Sequence, residues 1–347
     1  MVDQLNWDNA EGVTNNGEYD FAAPYDGPDD TAEADLIDAL LETLAFKRLG
    51  DVRFLGALDY FLVSQPNGSS RNKRFTRLQH SLGVAALAKA YLDLKQVHTP
   101  QQRLLCVAAA MLHDIGHPPF SHTLEPVFEE AFGINHHGAS ERIITGLVPL
   151  GSEIVEILRS FGIDPLAVLH LLNGGDELFD HFFSGPINFD TIEGILRARN
   201  YLRMQKLGLT PMKVMKAAVS RSSPESRHIV DGFWHSKQEV YAVVVRSKSG
   251  VFYDALFQAI VRSHINALTL ADYFATEAEI FRKIPLLRDV LKKDKVAEIA
   301  RAVLPAEVAY YLRQFYIDDG GTFHSGEDNK RYRQKKALGS LTLGDIL

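Results

Sequence analysis

The chain has 347 residues, 46% of them hydrophobic and 23% charged, with a formal net charge of −7. That balance suits one large or two ordinary globular domains, and it offers duplex nucleic acid no basic field, so nucleic acid is not indicated as a partner. The single cysteine, Cys106, excludes an intrachain disulfide framework; the opening MVDQLNWDNAEG is unlike a leader, and no apolar run reaches the ~20 residues of a bilayer span, so a cytoplasmic protein without a membrane partner is expected.

Residues 1–30 are rich in Asp, Asn and Gly and read as a polar N-terminal segment. From Thr31 the pattern turns helical, with Leu36, Leu40 and Leu44 four apart, Ile37 and Leu41 beside them, and Gly50 placed to cap the end. Residues 53–65 are apolar, and PNGSSRNKR at 66–74 is a loop of turn formers. A helix is expected from about Thr76 to Lys95, with His80 near its inward face. Thr99-Pro100 then opens a central helix that suits packing on all sides, and Gly116, Pro118 and Pro119 stop it. Shorter helices come next: 125–132, one begun by GASERIITGLV, one from Asp164-Pro165 to Asn173, and one after Pro186 that holds Asp190 near its start. Residues 240–245 read as strand-like, residues 256–281, 286–303 and 305–316 as helices. The tail from Asp318, with KRYRQKK at 330–336, reads as solvated or flexible. The expectation is an all-α bundle with at most a small strand element. Its divisions are a polar segment at 1–30, a core at 31–208, a mostly helical C-terminal lobe at 209–317 and a polar tail at 318–347.

The chemistry concentrates where the central helix ends, in His113-Asp114-Ile115-Gly116-His117, with His122 close behind. Buried imidazoles and carboxylates are costly unless paired or bound to metal, and together they suit Mn, Fe, Co, Ni or Zn. His80, His113, Asp114 and Asp190 lie on three helical segments that a bundle can bring to one point. A divalent metal there would acidify water and polarise a phosphoryl oxygen.

RLQHSLGV, HDIGHPPFSH, HHGAS and INFDTIEGILR occur in the order found in HD-domain phosphohydrolases, and LLETLAFKRLGDVRFLG resembles the segment before the first histidine. Over residues 33–205 the chain most resembles the deoxynucleoside triphosphate triphosphohydrolase branch. The resemblance implies an HD-domain helical bundle and a metal-dependent phosphohydrolase that acts on a nucleotide, most simply releasing nucleoside and triphosphate. It implies His80, His113, Asp114 and Asp190 as metal ligands, for one of the metals above or Mg. It places Arg77 on substrate phosphate, where a planar guanidinium suits the task. His117, His122 and His136 stand at catalytic or phosphate-contacting positions, with Glu125 orienting one of them. Arg197 is a further candidate for phosphate. Members of the branch commonly assemble, so a homo-oligomer is expected.

The sequence also departs from the branch. Glu125 replaces an aspartate, and His137 stands where a glutamate is usual. Thr191 replaces a phosphate-holding lysine, Gly194 a tyrosine that packs on the sugar, and Ala198 an aspartate that contacts it. These last three share one helix face. Two other readings therefore stay open: a phosphodiesterase or nucleotidase with another substrate, and a nucleotide sensor without turnover. At the level of single residues, His113-Asp114 also reads as a helix C-terminal pair, and Arg197, Arg199 and Arg203 as a solvated basic face.

Overall fold

The computed structural model describes residues 31–61, 75–202, 204, 208–220, 223–321 and 330–345. The polar segment read at 1–30 and the loop read at 66–74 lie outside them. Among the described residues the fold is helical with one two-stranded sheet. The opening helix is broken by Thr43 into α1 (Thr31–Glu42) and α2 (Leu44–Leu49). The Thr43 hydroxyl donates to Leu40 O and accepts from Phe46 N, so one side chain ends the first helix and caps the second. After α3 (Leu58–Phe61) come α4 (Arg77–Lys95) and α5 (Pro100–Leu112). Both α4 and α5 start with a capping box, Thr76 with Gln79 and Thr99 with Gln102. α5 is fully enclosed from Cys106 to Leu112, and burial pushes the Cys106 thiol well above its ordinary range, which makes it a core residue.

The chain continues through α6 (Glu125–Phe132), α7 (His136–Ile144), α8 (Ser152–Ser160), α9 (Pro165–Leu172) and α10 (Phe189–Tyr201). Then come α11 (Pro211–Ser220), α12 (Pro224–Val240), α13 (Lys248–Ser263), α14 (Glu277–Lys283), α15 (Leu286–Asp289) and α16 (Lys293–Val303). Two antiparallel strands close it, β1 (Glu307–Ile317) and β2 (Tyr332–Thr342), in register from Glu307 opposite Thr342 to Ile317 opposite Tyr332.

Three expectations are corrected. Residues 240–245 are not a strand but a π-type turn that prolongs α12, because a short apolar run does not by itself separate strand from buried helix. Residues 305–316 are not a helix: their Val, Tyr, Leu and Phe alternate half-buried against exposed along β1. KRYRQKK is not solvated coil but the start of β2, anchored where Arg331 donates to both Asp231 carboxylate oxygens at 2.8 and 2.6 Å.

Two buried cores result. The first takes side chains from α1, α2, α4, α5 and α8–α12, so residues 211–244 join the core that starts at Leu36 rather than forming a lobe with α13–α16. The second unites Phe120, Leu124, Val127 and Phe128 with Leu256, Ile260, Ile280 and Leu287 of the later helices. The HDIGHPPFSH segment runs between the two.

Candidate functional site

α4, α5 and α10 deliver four side chains to one point. His80 lies one turn into α4, His113 caps the end of α5, Asp114 is its neighbour, and Asp190 occupies the first turn of α10 behind the Asn188 cap. His80 Nε2 is 3.0 Å from Asp190 Oδ1, 3.2 Å from His113 Nε2 and 3.5 Å from Asp114 Oδ2. His113 Nε2 is 3.5 Å from Asp114 Oδ2 and 4.0 Å from Asp190 Oδ1.

The outer ring nitrogens are engaged elsewhere. His113 Nδ1 bonds Ala110 O at 2.8 Å, and His80 Nδ1 bonds the Glu193 carboxylate. This network assigns the proton to Nδ1 in both rings and turns both Nε2 lone pairs inward, the arrangement a metal requires. Burial alone would favour an uncharged His80. Glu193, Asp190 and Asp114 outweigh it and raise its pKa to about 9, so without a cation Nε2 also carries a proton towards Asp190, and a metal would take that proton's place. Burial likewise opposes ionisation of Asp114, yet His113 and Arg77 hold it below the usual carboxylate range, and His80 does the same for the more exposed Asp190. The donor set therefore fits a divalent cation.

Glu193 was not singled out in the sequence, although it lies three residues after Asp190 and four before Arg197. Its space is reserved in α4: a Cβ at Gly83 would come within 2.3 Å of Glu193 Oε1. Arg197 does not face open solvent as a substrate contact would. It is fully buried, with Nε donating to Glu193 Oε1 at 2.7 Å and Nη2 to Gln79 O at 2.9 Å, because Glu193 is the charge it neutralises.

Arg77 sits a turn before His80, with Nη1 2.7 Å from Asp114 Oδ2 and Nε 2.9 Å from Ser121 Oγ. Asp114 Oδ1 faces His117 Nε2 at 3.2 Å. His117 belongs equally to a second group. Its ring stacks on His136 at 4.5 Å and 6°, His122 stands edge-on to both, and Glu125 bridges the other two. Glu125 Oε2 accepts from His122 Nδ1 at 3.0 Å, while Oε1 accepts from the His136 ring and from its backbone N–H. Burial opposes the Glu125 charge, but the two imidazoles hold it ionised far below its ordinary range. Burial and the nearby Arg77 charge push His117 well down, which makes it a neutral imidazole near pH 7. Its Nδ1 has no hydrogen-bond partner among the described residues. His137 packs its ring 3.9 Å from that of His136, which is the ring bonded to Glu125.

Two more parts escaped the sequence reading. Arg48, buried in α2, donates from Nη1 to His117 O and from Nη2 to Ile115 O, both at 2.8 Å, and so fixes the turn that carries the motif. Only the structure places α2 there. On the Asp190 side, α12 and β1 bring up Lys237, Tyr241 and Arg313. The Lys237 ammonium lies 4.6 Å from the Trp234 ring and 4.7 Å from that of Phe315, with no carboxylate bonded to it among the described residues. Burial lowers its pKa to about 8, against the attraction of Asp190. Of the altered face of α10, Ala198 is buried, while a Cβ added at Gly194 would meet Phe54 and His80 at ordinary contact distances.

Residues 77–166 match the HD domain family model. A curated relative from Mycoplasma pneumoniae, an uncharacterised MG461 homologue, is 30% identical over 46% of this chain and 37% of its own length. The deoxynucleoside triphosphate triphosphohydrolase SAMHD1 of Gallus gallus is 32% identical over 37% of this chain and 21% of its own. The chain thus spans well under half of the curated relatives it matches. A phosphohydrolase crystal structure from Bacteroides thetaiotaomicron superposes with a TM-score of 0.62 at 14% identity, covering 89% of this chain and 94% of that one, which shows a shared fold. His80, His113 and Asp114 thus lie in a segment that matches the class of HD domains, within a fold shared with a solved phosphohydrolase. Within that class its matched part is similar to the deoxynucleoside triphosphate triphosphohydrolases. Among the described residues no helix is long and apolar enough to cross a membrane.

Proposed function

We propose that the protein is a metal-dependent phosphohydrolase of nucleotides, and specifically a triphosphohydrolase that releases nucleoside and triphosphate. The observation that carries the reading is the inward convergence of His80 Nε2 and His113 Nε2 with Asp114 and Asp190, beside His122 and His136 held by Glu125 and His117 stacked on His136. A divalent metal held by those four residues, Mn being the first choice to test, would supply Lewis-acid charge for a phosphoryl group. Arg77, bonded to Asp114, and Lys237, which feels the Asp190 charge, would bind phosphate oxygens. Lys237 and Arg313 thereby take over the cationic role that Thr191 cannot fill.

The protein's own groups handle the protons. With its Nε2 proton directed at Asp114, His117 acts as a neutral imidazole that orients that carboxylate beside the metal residues. Glu125 fixes the Nδ1 protons of His122 and His136, so their Nε2 atoms face the substrate, and its charge stabilises an imidazolium able to protonate the leaving oxygen. Assembly as a homo-oligomer belongs to the same reading, and light scattering behind a sizing column tests it.

A second reading rests on α10. With Ala198 buried and Gly194 without a side chain, this face offers a deoxyribose neither a ring to pack on nor a carboxylate to bond, which favours a nucleotidase or phosphodiesterase with a different alcohol group. A chromatographic product screen with Mn decides between them, using deoxy- and ribonucleoside triphosphates, monophosphates and cyclic dinucleotides, with Asp114→Ala as control. Nucleoside plus triphosphate, absent in the control, supports the first reading. Turnover confined to another class moves the protein to the second. Metal binding without turnover of any class would leave a sensor.

A further inference from the structure

The matched HD region ends at residue 166, yet a side chain more than a hundred residues later reaches into the catalytic turn. Glu277 opens α14 and is 3% exposed. Its Oε1 accepts from Arg53 N at 2.8 Å and from Phe120 N at 3.3 Å, and its Oε2 accepts from Tyr60 O–H at 2.5 Å. Arg53 Nε lies 3.4 Å away. One carboxylate thus ties together two backbone segments that are 67 residues apart, since Arg53 and Phe120 are both its partners.

What it holds is strained. Phe120 and Ser121 have φ of 61° and 50°, two successive non-glycine residues in the left-handed region, at a cost of about 1–3 kcal/mol each. Such a turn persists only where its surroundings over-determine it. Here the Phe120 ring is sealed in the second core, and its N–H is taken by Glu277. The strain has a use at the next residue. Ser121 O–H donates to Arg53 O at 2.7 Å, and Ser121 Oγ accepts from Arg77 Nε at 2.9 Å. The peptide bonds of Arg53 therefore connect Glu277, through Ser121, to the guanidinium that faces Asp114. The same turn leads into His122.

We infer that Glu277 is a positioning residue for the active site: it holds the left-handed Phe120–Ser121 turn and the segment around Arg53, and so aims Arg77 and His122. This rests on the phosphohydrolase reading above. It also means that α14 belongs functionally to the catalytic unit. Glutamine keeps an acceptor oxygen for both N–H groups, whereas alanine keeps none.

The test uses the full chain with Mn, comparing wild type, Glu277→Gln, Glu277→Ala and Ser121→Ala, with amide hydrogen exchange over residues 118–123 read alongside turnover. Expected for Glu277→Ala is at least tenfold faster exchange in that segment and at least tenfold lower kcat/KM with unchanged metal content, while Glu277→Gln stays within about threefold of wild type in both. Ser121→Ala should reproduce most of the kcat/KM loss, and the double variant should add little to either single one. Unchanged exchange in Glu277→Ala overturns the clamp. Faster exchange with undiminished kcat/KM, or fully additive losses, overturns the positioning role. If wild type turns over no nucleotide while exchange still responds, it is the phosphohydrolase reading that fails and the clamp that stands. Should Glu277→Ala not fold, Ser121→Ala with Glu277→Gln carries the comparison: no loss in the former refutes the relay.

Discussion

Glu193 offers the sharpest separation of stability from metal chemistry. It is 1% exposed and serves two partners, the His80 ring and the Arg197 guanidinium. Glu193→Leu removes both functions. It leaves the Arg197 charge buried without its carboxylate, a loss of about 3–5 kcal/mol, and it frees the His80 tautomer, a loss of about 10–100-fold in metal affinity. Replacing Arg197 as well, in Glu193→Leu/Arg197→Leu, takes away the orphaned charge. Apolar replacement of a whole buried pair is often neutral, so most of the stability should return while metal affinity stays low. Denaturant unfolding of the metal-free protein gives the first quantity and calorimetric Mn titration the second. If affinity recovers together with stability in the double variant, Glu193 acts on the site only through general packing and the tautomer argument is wrong.

Glu277 and Lys237 yield further expectations. Burial raises the Glu277 pKa to about 7 from an ordinary 4.5, so charging it costs folding energy; relative stability is full below about pH 4.5 and falls away as pH rises through about 7. That difference is worth about 3 kcal/mol, so Glu277→Gln should gain on wild type by roughly this amount between pH 4.5 and 8 in urea titrations, and a pH-independent gap would contradict it. Lys237→Gln should raise KM for a triphosphate substrate about tenfold while Mn affinity holds or tightens slightly, because a cation near Asp190 is lost; an unchanged KM removes Lys237 from the phosphate site.

Much of the arrangement was readable in the sequence because it is local. The capped starts of α4 and α5, the burial of α5 from Cys106 to Leu112 and the turn that carries His113 and Asp114 are set by residues close in the chain. The convergence of His80, His113, Asp114 and Asp190 required the family resemblance, since spacing gives three helices but not their packing. The parts that stayed hidden were non-local. Arg48 and Glu277 act on backbone atoms far along the chain, and nothing in their own neighbourhoods marks them. Arg197 misled for the opposite reason: a cation next to a functional helix face resembles a phosphate ligand until its buried partner Glu193 is seen. The hairpin was missed because β2 is charged on both sides and shows no alternation, so only pairing with β1 defines it.

The two cores meet at the HDIGHPPFSH segment, and they do so in series. His113 and Asp114 are hung from the first core by α5, whereas Phe120 and Leu124 are set in the second, with ten residues or fewer between them. Proteins open in cooperative pieces of unequal stability, and opening either piece here pulls the site apart. Were the two cores to open separately, the lifetime of the site would follow the one that loosens first, and strengthening the firmer one alone would not prolong it.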